Sequence, residues 1–320
     1  MLVTVDQATE YIGTGKLFHI SGATSLLRRL PKGNWLGGST EFFMDKGGGK
    51  ATDQLLSLIE IPGESYRIET YGVDGISRVG KNAFANGYTI LILPFDSEIH
   101  SLYAEKAAYF DDIFLNPVIG WIAADRLDKA DRQSVSANGA EGEVYADKAV
   151  ALHMSLPAGQ SAELNMINIF EPDLDGPSIL FPRDGFVVDV CLIDGKETVF
   201  ADYIAETGLD TKLPLVGDYS GANINISIKE IADGKVYFYA PLSGNVQYRF
   251  AKRIDDYAEA FRAKIGDLSD TESVFTCNCI LNFMYGALEN EDLGTFYGPF
   301  TFGEVAWQLV NQTLVYLQIK

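Results

Sequence analysis

Asn116-Pro117-Val118-Ile119-Gly120-Trp121-Ile122-Ala123-Ala124-Asp125 is an apolar run that arrives at a glycine, continues through small residues and ends on an acid. A run of this length with β-branched and aromatic side chains reads as a buried strand, and the glycine marks a place where backbone turns or approaches something closely. The same construction occurs earlier as Asn34-Trp35-Leu36-Gly37-Gly38-Ser39-Thr40-Glu41 and later as Phe296-Tyr297-Gly298-Pro299-Phe300-Thr301-Phe302-Gly303-Glu304, with a weaker version at Leu215-Val216-Gly217-Asp218. Gly37 and Gly120 are 83 positions apart, and Gly217 and Gly298 are 81 apart. Such near-equal spacing predicts two lobes of similar construction, 1–158 and 159–320, with the break at Leu156-Pro157-Ala158-Gly159. The expected class is α/β, with α+β as the alternative, in mixed β-sheets flanked by helices.

Around these passages the chain alternates strands and helices. Thr4 or Asp6 caps a first helix whose apolar face is Ala8, Tyr11 and Ile12; a strand Leu17–Ile20 and a helix over Ala23–Gly33 follow. Leu55–Ile61, Tyr66–Val73 and Thr89–Leu93 read as strands, and Phe95–Phe110 as a helix. The second half carries hairpin signals at Asp194-Gly195, between Val187–Ile193 and Lys196–Phe200, and at Asp233-Gly234, between Asn223–Ile231 and Lys235–Ala240. Asp255–Ile265 reads as an amphipathic helix, and Ser273–Cys279 and Gln312–Ile319 as strands.

The 320 residues hold 25 basic and 44 acidic side chains, a net charge of −19. An acidic surface repels phosphate backbones and anionic lipid, so neither nucleic acid nor a membrane is an expected partner. The longest apolar stretches, Tyr88–Phe95 and Val118–Ala124, fall well short of the roughly 20 residues that cross a bilayer. Met1–Gly13 lacks a basic flank followed by an apolar run. Cys191, Cys277 and Cys279 are an odd number of thiols in a long chain, which points to a reducing compartment, the cytoplasm.

Motifs that would identify an enzyme fail on inspection. Lys46-Gly47-Gly48-Gly49-Lys50-Ala51 has the look of a phosphate-cradling loop, but Met44 stands at the first glycine position and Ala51 at the hydroxyl position, so a flexible surface loop is expected. Gly37-Gly38-Ser39-Thr40-Glu41 is not a nucleophile elbow. His19, His100 and His153 show no metal-ligand spacing, although His19 or His153 is a candidate haem ligand. Cys277 and Cys279 lack a basic neighbour in sequence to activate a thiolate and read as core, whereas the Asn278 amide offers a donor and an acceptor to a small polar ligand. Glu41, Asp125 and Glu304 are candidates for acid–base work if the glycine passages converge, and equally for capping the turns that follow them.

Taken in order, Trp35–Glu41, Pro117–Asp125 with Gly142–Leu152, and Phe275–Asn278 with Gly298 and Phe302–Ala306 resemble the FIST sensory proteins over most of the chain, as a divergent member with an N-terminal and a C-terminal FIST module. The departure lies at Asn278-Cys279-Ile280, where many relatives carry small residues and an arginine. The resemblance implies a role in signal transduction, with small ligands such as amino acids bound by the modules, and haem-based gas sensing in some relatives. Combined with the glycine passages, it predicts a pocket between the lobes lined by Gly37, Gly38, Ser39, Glu41, Gly120, Asp125, Cys277, Asn278, Gly303 and Glu304. No cofactor is expected, with haem as the alternative. Strand and helix signals fill almost the whole length, so output is expected to pass to a separate signalling protein.

Overall fold

A computed structural model describes residues 1–63, 65–126, 133–219, 221–266, 268 and 272–320. Helix α1 (Val5–Ile12) starts on a capping box, in which the Thr4 hydroxyl accepts from Gln7 N while the Gln7 side chain accepts from Thr4 N,. Strand β1 (Phe18–Gly22) leads through the short helix α2 (Thr24–Leu27) to β2 (Trp35–Ser39), which runs parallel to β1 with Gly37 opposite Ile20. Next come β3 (Phe42–Asp45) and β4 (Leu56–Glu60), the latter antiparallel to β1. The strand–helix–strand unit then recurs: β5 (Gly87–Pro94), α3 (Glu98–Lys106) and β6 (Val118–Ala123), parallel to β5 with Gly120 opposite Leu91. Strand β7 (Ala149–Ser155) closes this part, antiparallel to β5.

The second half contributes helix α4 (Phe200–Thr207), the hairpin β8 (Ile228–Ala232) and β9 (Lys235–Leu242), and helix α5 (Tyr257–Gly266). A third unit follows as β10 (Phe275–Cys279), α6 (Ile280–Tyr285) and β11 (Gly298–Thr301), parallel to β10. The chain ends in β12 (Glu304–Ala306) and β13 (Leu314–Ile319), with β13 antiparallel to β10. Parallel pairs joined through helices, set in otherwise antiparallel sheets, make this an α/β protein of mixed sheets,.

The glycines of the three units do the same job. A Cβ at Gly37, Gly120 or Gly298 would lie 1.7, 1.8 or 2.2 Å from the carbonyl oxygen of Ile20, Leu91 or Thr276 on the preceding parallel strand. Only glycine lets those backbones approach so closely. Gly217 differs, since its Cβ would meet the Tyr248 ring instead.

Side-chain alternation sorts the first sheet into two faces. Phe18 and Ile20 pack with Val5, Ala8 and Leu27 beneath α1 and α2. On the other face Gly38 meets the second sheet, where a Cβ would fall 2.7 Å from Ile92 Cγ2 and 2.8 Å from Ala123 Cβ. Sheets pressed this closely leave His19 between the Trp121 and Phe275 rings, with centroids 5.8 and 4.8 Å away.

The halves on either side of residue 158 share sheets. Strand β3 pairs with β11, and β12 pairs with β6, where Glu304 stands opposite Trp121. Several local expectations change in the structure. The Lys46–Lys50 segment is the turn of a hairpin pinned to the chain at 288–290, with Gly49 N donating to Leu288 O and Asn290 N to Gly49 O, so it is not a loose loop. Both Asp-Gly pairs form the expected turns with positive φ, Asp194 at 48° and Asp233 at 51°,. Helix α4 begins at Phe200, where the sequence suggested the end of a strand, and the run Asn223–Ile231 divides at Ser227 between two sheets.

Candidate functional site

The carboxyl ends of β2, β6, β10 and β11 come to one end of the sheets, and a cavity of about 380 Å³ lies there. Its walls include Phe42 after β2, Arg126 after β6, Ile280 and Leu281 after β10, Phe302 after β11, and Tyr239 from β9. The volume falls in the range of small-molecule pockets, about 300–1,000 Å³, and the crevice beyond the carboxyl ends of parallel strands is where open α/β sheets bind ligands. The Arg126 guanidinium sits 5.6 Å from the centre of the Phe42 ring, which places one cation on an otherwise aromatic and aliphatic wall,.

The residues singled out from sequence gather beneath this cavity without lining it. Gly37 and Gly120 serve strand pairing, so the expectation that they admit a ligand gives way to close approach of a neighbouring strand. Gly38 serves sheet packing, and Gly303 holds φ at 143° in a turn where Phe302 N donates to Ile122 O and Ile122 N to Gly303 O. Ser39 Oγ accepts from Val135 N at 3.0 Å. Asp125 caps α2, its Oδ1 accepting from Thr24 N at 3.0 Å. Glu41 is buried where β2 turns into β3, and its backbone carbonyl accepts from Thr52 N at 2.8 Å.

Cys277 and Asn278 alternate to opposite faces of β10. The Cys277 thiol donates to Gly120 O at 3.2 Å, a contact between the third sheet and the second. Asn278, expected to offer its amide to a ligand, instead accepts from Asn282 Nδ2 at 2.7 Å and directs its own Nδ2 to Met44 Sδ at 3.6 Å. Tyr257 donates to Asn282 Oδ1, which continues the chain of bonds to α5.

Glu304 is the most perturbed acid. It is fully buried, with Oε1 accepting from Thr301 Oγ1 at 2.8 Å and Oε2 from Thr313 Oγ1 at 2.9 Å, and it also receives the Cys279 thiol. Burial outweighs those bonds and pushes its carboxyl up to about 8,. Desolvation likewise raises both thiols of Cys277 and Cys279 well above the ordinary range, so they are protonated and unreactive at neutral pH,. Asp125 Oδ1 and both carboxyl oxygens of Glu304 are thus already occupied by internal donors.

A haem ligand needs a ring nitrogen facing a porphyrin-sized space. His153 has none to offer, as Nε2 bonds to Tyr71 OH at 2.8 Å and Nδ1 to Thr89 Oγ1 at 2.9 Å. His19 accepts from Trp121 Nε1 at 3.1 Å and is enclosed by rings. Neither residue fits a haem. A larger hollow of about 670 Å³ lies at the amino end of β10, against Val274, Phe275, Leu58 and Ile59. It lies away from the carboxyl ends of the parallel strands, the crevice where open α/β sheets bind ligands, so the smaller cavity is the better candidate,.

Sequence reasoning missed Phe42, Arg126, Tyr239, Leu281 and Phe302. Three of them directly adjoin predicted residues: Phe42 follows Glu41, Arg126 follows Asp125, and Phe302 precedes Gly303. No pattern in the sequence separates the apolar members of this set from core.

An α/β protein with a cavity at the carboxyl ends of its parallel strands is the class that fold and site define. The chain belongs to DUF6976, a family of unknown function whose sequence model matches residues 3–320. No curated protein and no solved structure matches it. Among the described residues, no helix is long and apolar enough to cross a membrane.

Proposed function

We propose that the protein is a small-molecule sensor whose ligand occupies the 380 Å³ cavity at the carboxyl ends of β2, β6, β10 and β11. The observation that carries this reading is convergence: strand ends from residues 35–42, 118–126 and 275–302 meet around one hollow. The wall selects a molecule with an apolar body and one anionic group, the body against Phe42, Leu281 and Phe302 and the charge against Arg126,. Aromatic and branched-chain carboxylates satisfy that description; the corresponding amino acids add an ammonium, which would have to stay at the open side because, among the described residues, the lining holds no carboxylate. The resemblance to FIST modules supports the same reading, with a cytoplasmic location and output through a separate signalling protein. Buried, protonated thiols suit that compartment,.

Thermal unfolding with a panel of amino acids and short-chain carboxylates tests the proposal. A ligand present at 100 times its Kd should add about 2.7 kcal/mol of stability. Both Arg126→Met and Phe302→Ala should abolish the gain. A panel in which no member raises the melting temperature, or an effect that survives both substitutions, refutes this site.

A further inference from the structure

Beyond Tyr239, which lines both spaces, lies a second cavity of about 220 Å³. It is bounded by Phe95 just after β5, His100 in the first turn of α3, Lys229 and Tyr237 from the β8–β9 hairpin, and Phe186. His100 is only 5% exposed, and its Nε2 has no hydrogen-bond partner. A buried polar atom left unmatched is costly, and in a polar, aromatic cleft the natural remedy is a ligand that bonds to it. The His100 ring lies 5.6 Å from the Phe95 ring and 6.3 Å from the Phe186 ring, so the orphaned nitrogen belongs to an aromatic slot.

Charge narrows the ligand. Lys229 and Asp96 are the charged residues that face His100, and both are exposed at the rim. Lys229 Nζ stands 5.8 Å from the centre of the Phe95 ring, so an anion held by it would rest at the mouth of the slot. One ammonium matches a monoanion, and the Asp96 carboxylate disfavours a second negative charge. Burial lowers the His100 imidazole to about 4, which keeps the ring neutral near pH 7 and able to donate from Nε2 as one of its tautomers,. We propose that this cavity binds a small aromatic carboxylate, with its ring among Phe95, Phe186 and Tyr237, and its carboxylate paired to Lys229 and accepting from His100 Nε2. This site does not depend on the ligand proposed for the neighbouring cavity, because neither Arg126 nor Phe302 lines it.

Only three histidines occur in the chain, which makes imidazole NMR a direct readout. With the full chain labelled at histidine nitrogen, benzoate should move the His100 resonances saturably and leave His19 and His153 in place. Lys229→Met should weaken binding about tenfold, the size of one charge-assisted hydrogen bond. Benzyl alcohol, which has the ring without the charge, should weaken it similarly, and acetate should leave the resonances unmoved. The unchanged His19 and His153 signals report that each variant is folded. No His100 response up to the solubility limit of benzoate overturns the proposal, as does equal binding of benzyl alcohol or undiminished binding by Lys229→Met. A stronger response to acetate or inorganic phosphate than to benzoate overturns the aromatic part.

Discussion

Glu304 holds its carboxyl where ionisation is opposed, and the sign of the resulting pH dependence follows directly. Its folded value of about 8 lies above the ordinary 4.5, so its contribution to stability is complete below pH 4.5 and is lost as pH rises through about 8,. The buried histidines act in the other direction. Desolvation lowers His19 to about 3 and His100 and His153 to about 4, so their contribution is complete above the ordinary value of 6.5 and is lost as pH falls through those lower values. Between pH 6.5 and 8, Glu304 alone of these four groups changes its charge in the folded protein, while the facing groups Cys277, Cys279 and Tyr257, all raised, stay neutral; in the unfolded chain the three histidines still titrate near 6.5 and oppose the effect of Glu304,. The Glu304 contribution is therefore read as a difference: in denaturant unfolding, wild type should lose stability relative to Glu304→Gln between pH 6.5 and 8 by on the order of 2 kcal/mol, at about 1.4 kcal/mol per unit. Glu304→Gln keeps a hydrogen-bonding side chain of the same shape and leaves the histidine contribution in place, so subtracting its profile isolates the Glu304 carboxyl. A difference between the two profiles that stays constant from pH 6.5 to 8 contradicts this account.

At the scale of single elements, Asp125 shows how a residue chosen for chemistry can turn out to hold a helix. Its Oδ1 accepts from Thr24 N at the start of α2, in a buried setting where water cannot replace it. Asp125→Ala should cost about 1–3 kcal/mol by stranding that N–H, and Asp125→Asn, which keeps an acceptor, should recover most of it; equal losses in the two variants would remove the capping role. Much of this level was readable from sequence because its signals are local. Thr4 caps α1, and the Asp-Gly pairs turn both hairpins, through interactions within a few residues. Helices α4 and α6 were not readable, since each is short and starts immediately after a strand, and the aromatic and branched side chains of Ile280–Tyr285 suit a strand equally well,. The candidate site was legible to within a residue at Phe42, Arg126 and Phe302, and not at all at Tyr239. Glycines and acids stand out in a sequence, whereas Phe42 and Phe302 acquire their place only when strands far apart in the chain converge.

Across the whole molecule, the two halves complete one another's sheets. The spacings Gly37 to Gly120 and Gly217 to Gly298 suggest two similar lobes, but Gly217 faces the Tyr248 ring and has no part in a parallel pair, and spacing carries no information about which strands pair. Because β3 pairs with β11 and β6 with β12, a fragment of residues 1–158 lacks one neighbour of each strand. Expressed alone it should be insoluble or largely unfolded; coexpressed with residues 159–320 it should form a complex that survives size-exclusion chromatography. A stable, monomeric fragment 1–158 with native-like near-ultraviolet circular dichroism would show the strand exchange to be dispensable.

The pairing of β6 with β12 also bears on how the polypeptide is made. The strand that covers β6 lies about 180 residues further along, so at the usual ribosomal pace of about 5–20 residues per second the edge of Val118–Ala123 stays open for about 10–35 seconds of synthesis,. An apolar edge of that kind is a template for pairing with another nascent chain. Slower translation should therefore lower the yield of native protein at unchanged stability, which comparing soluble yields from fast and slow codon sets would check.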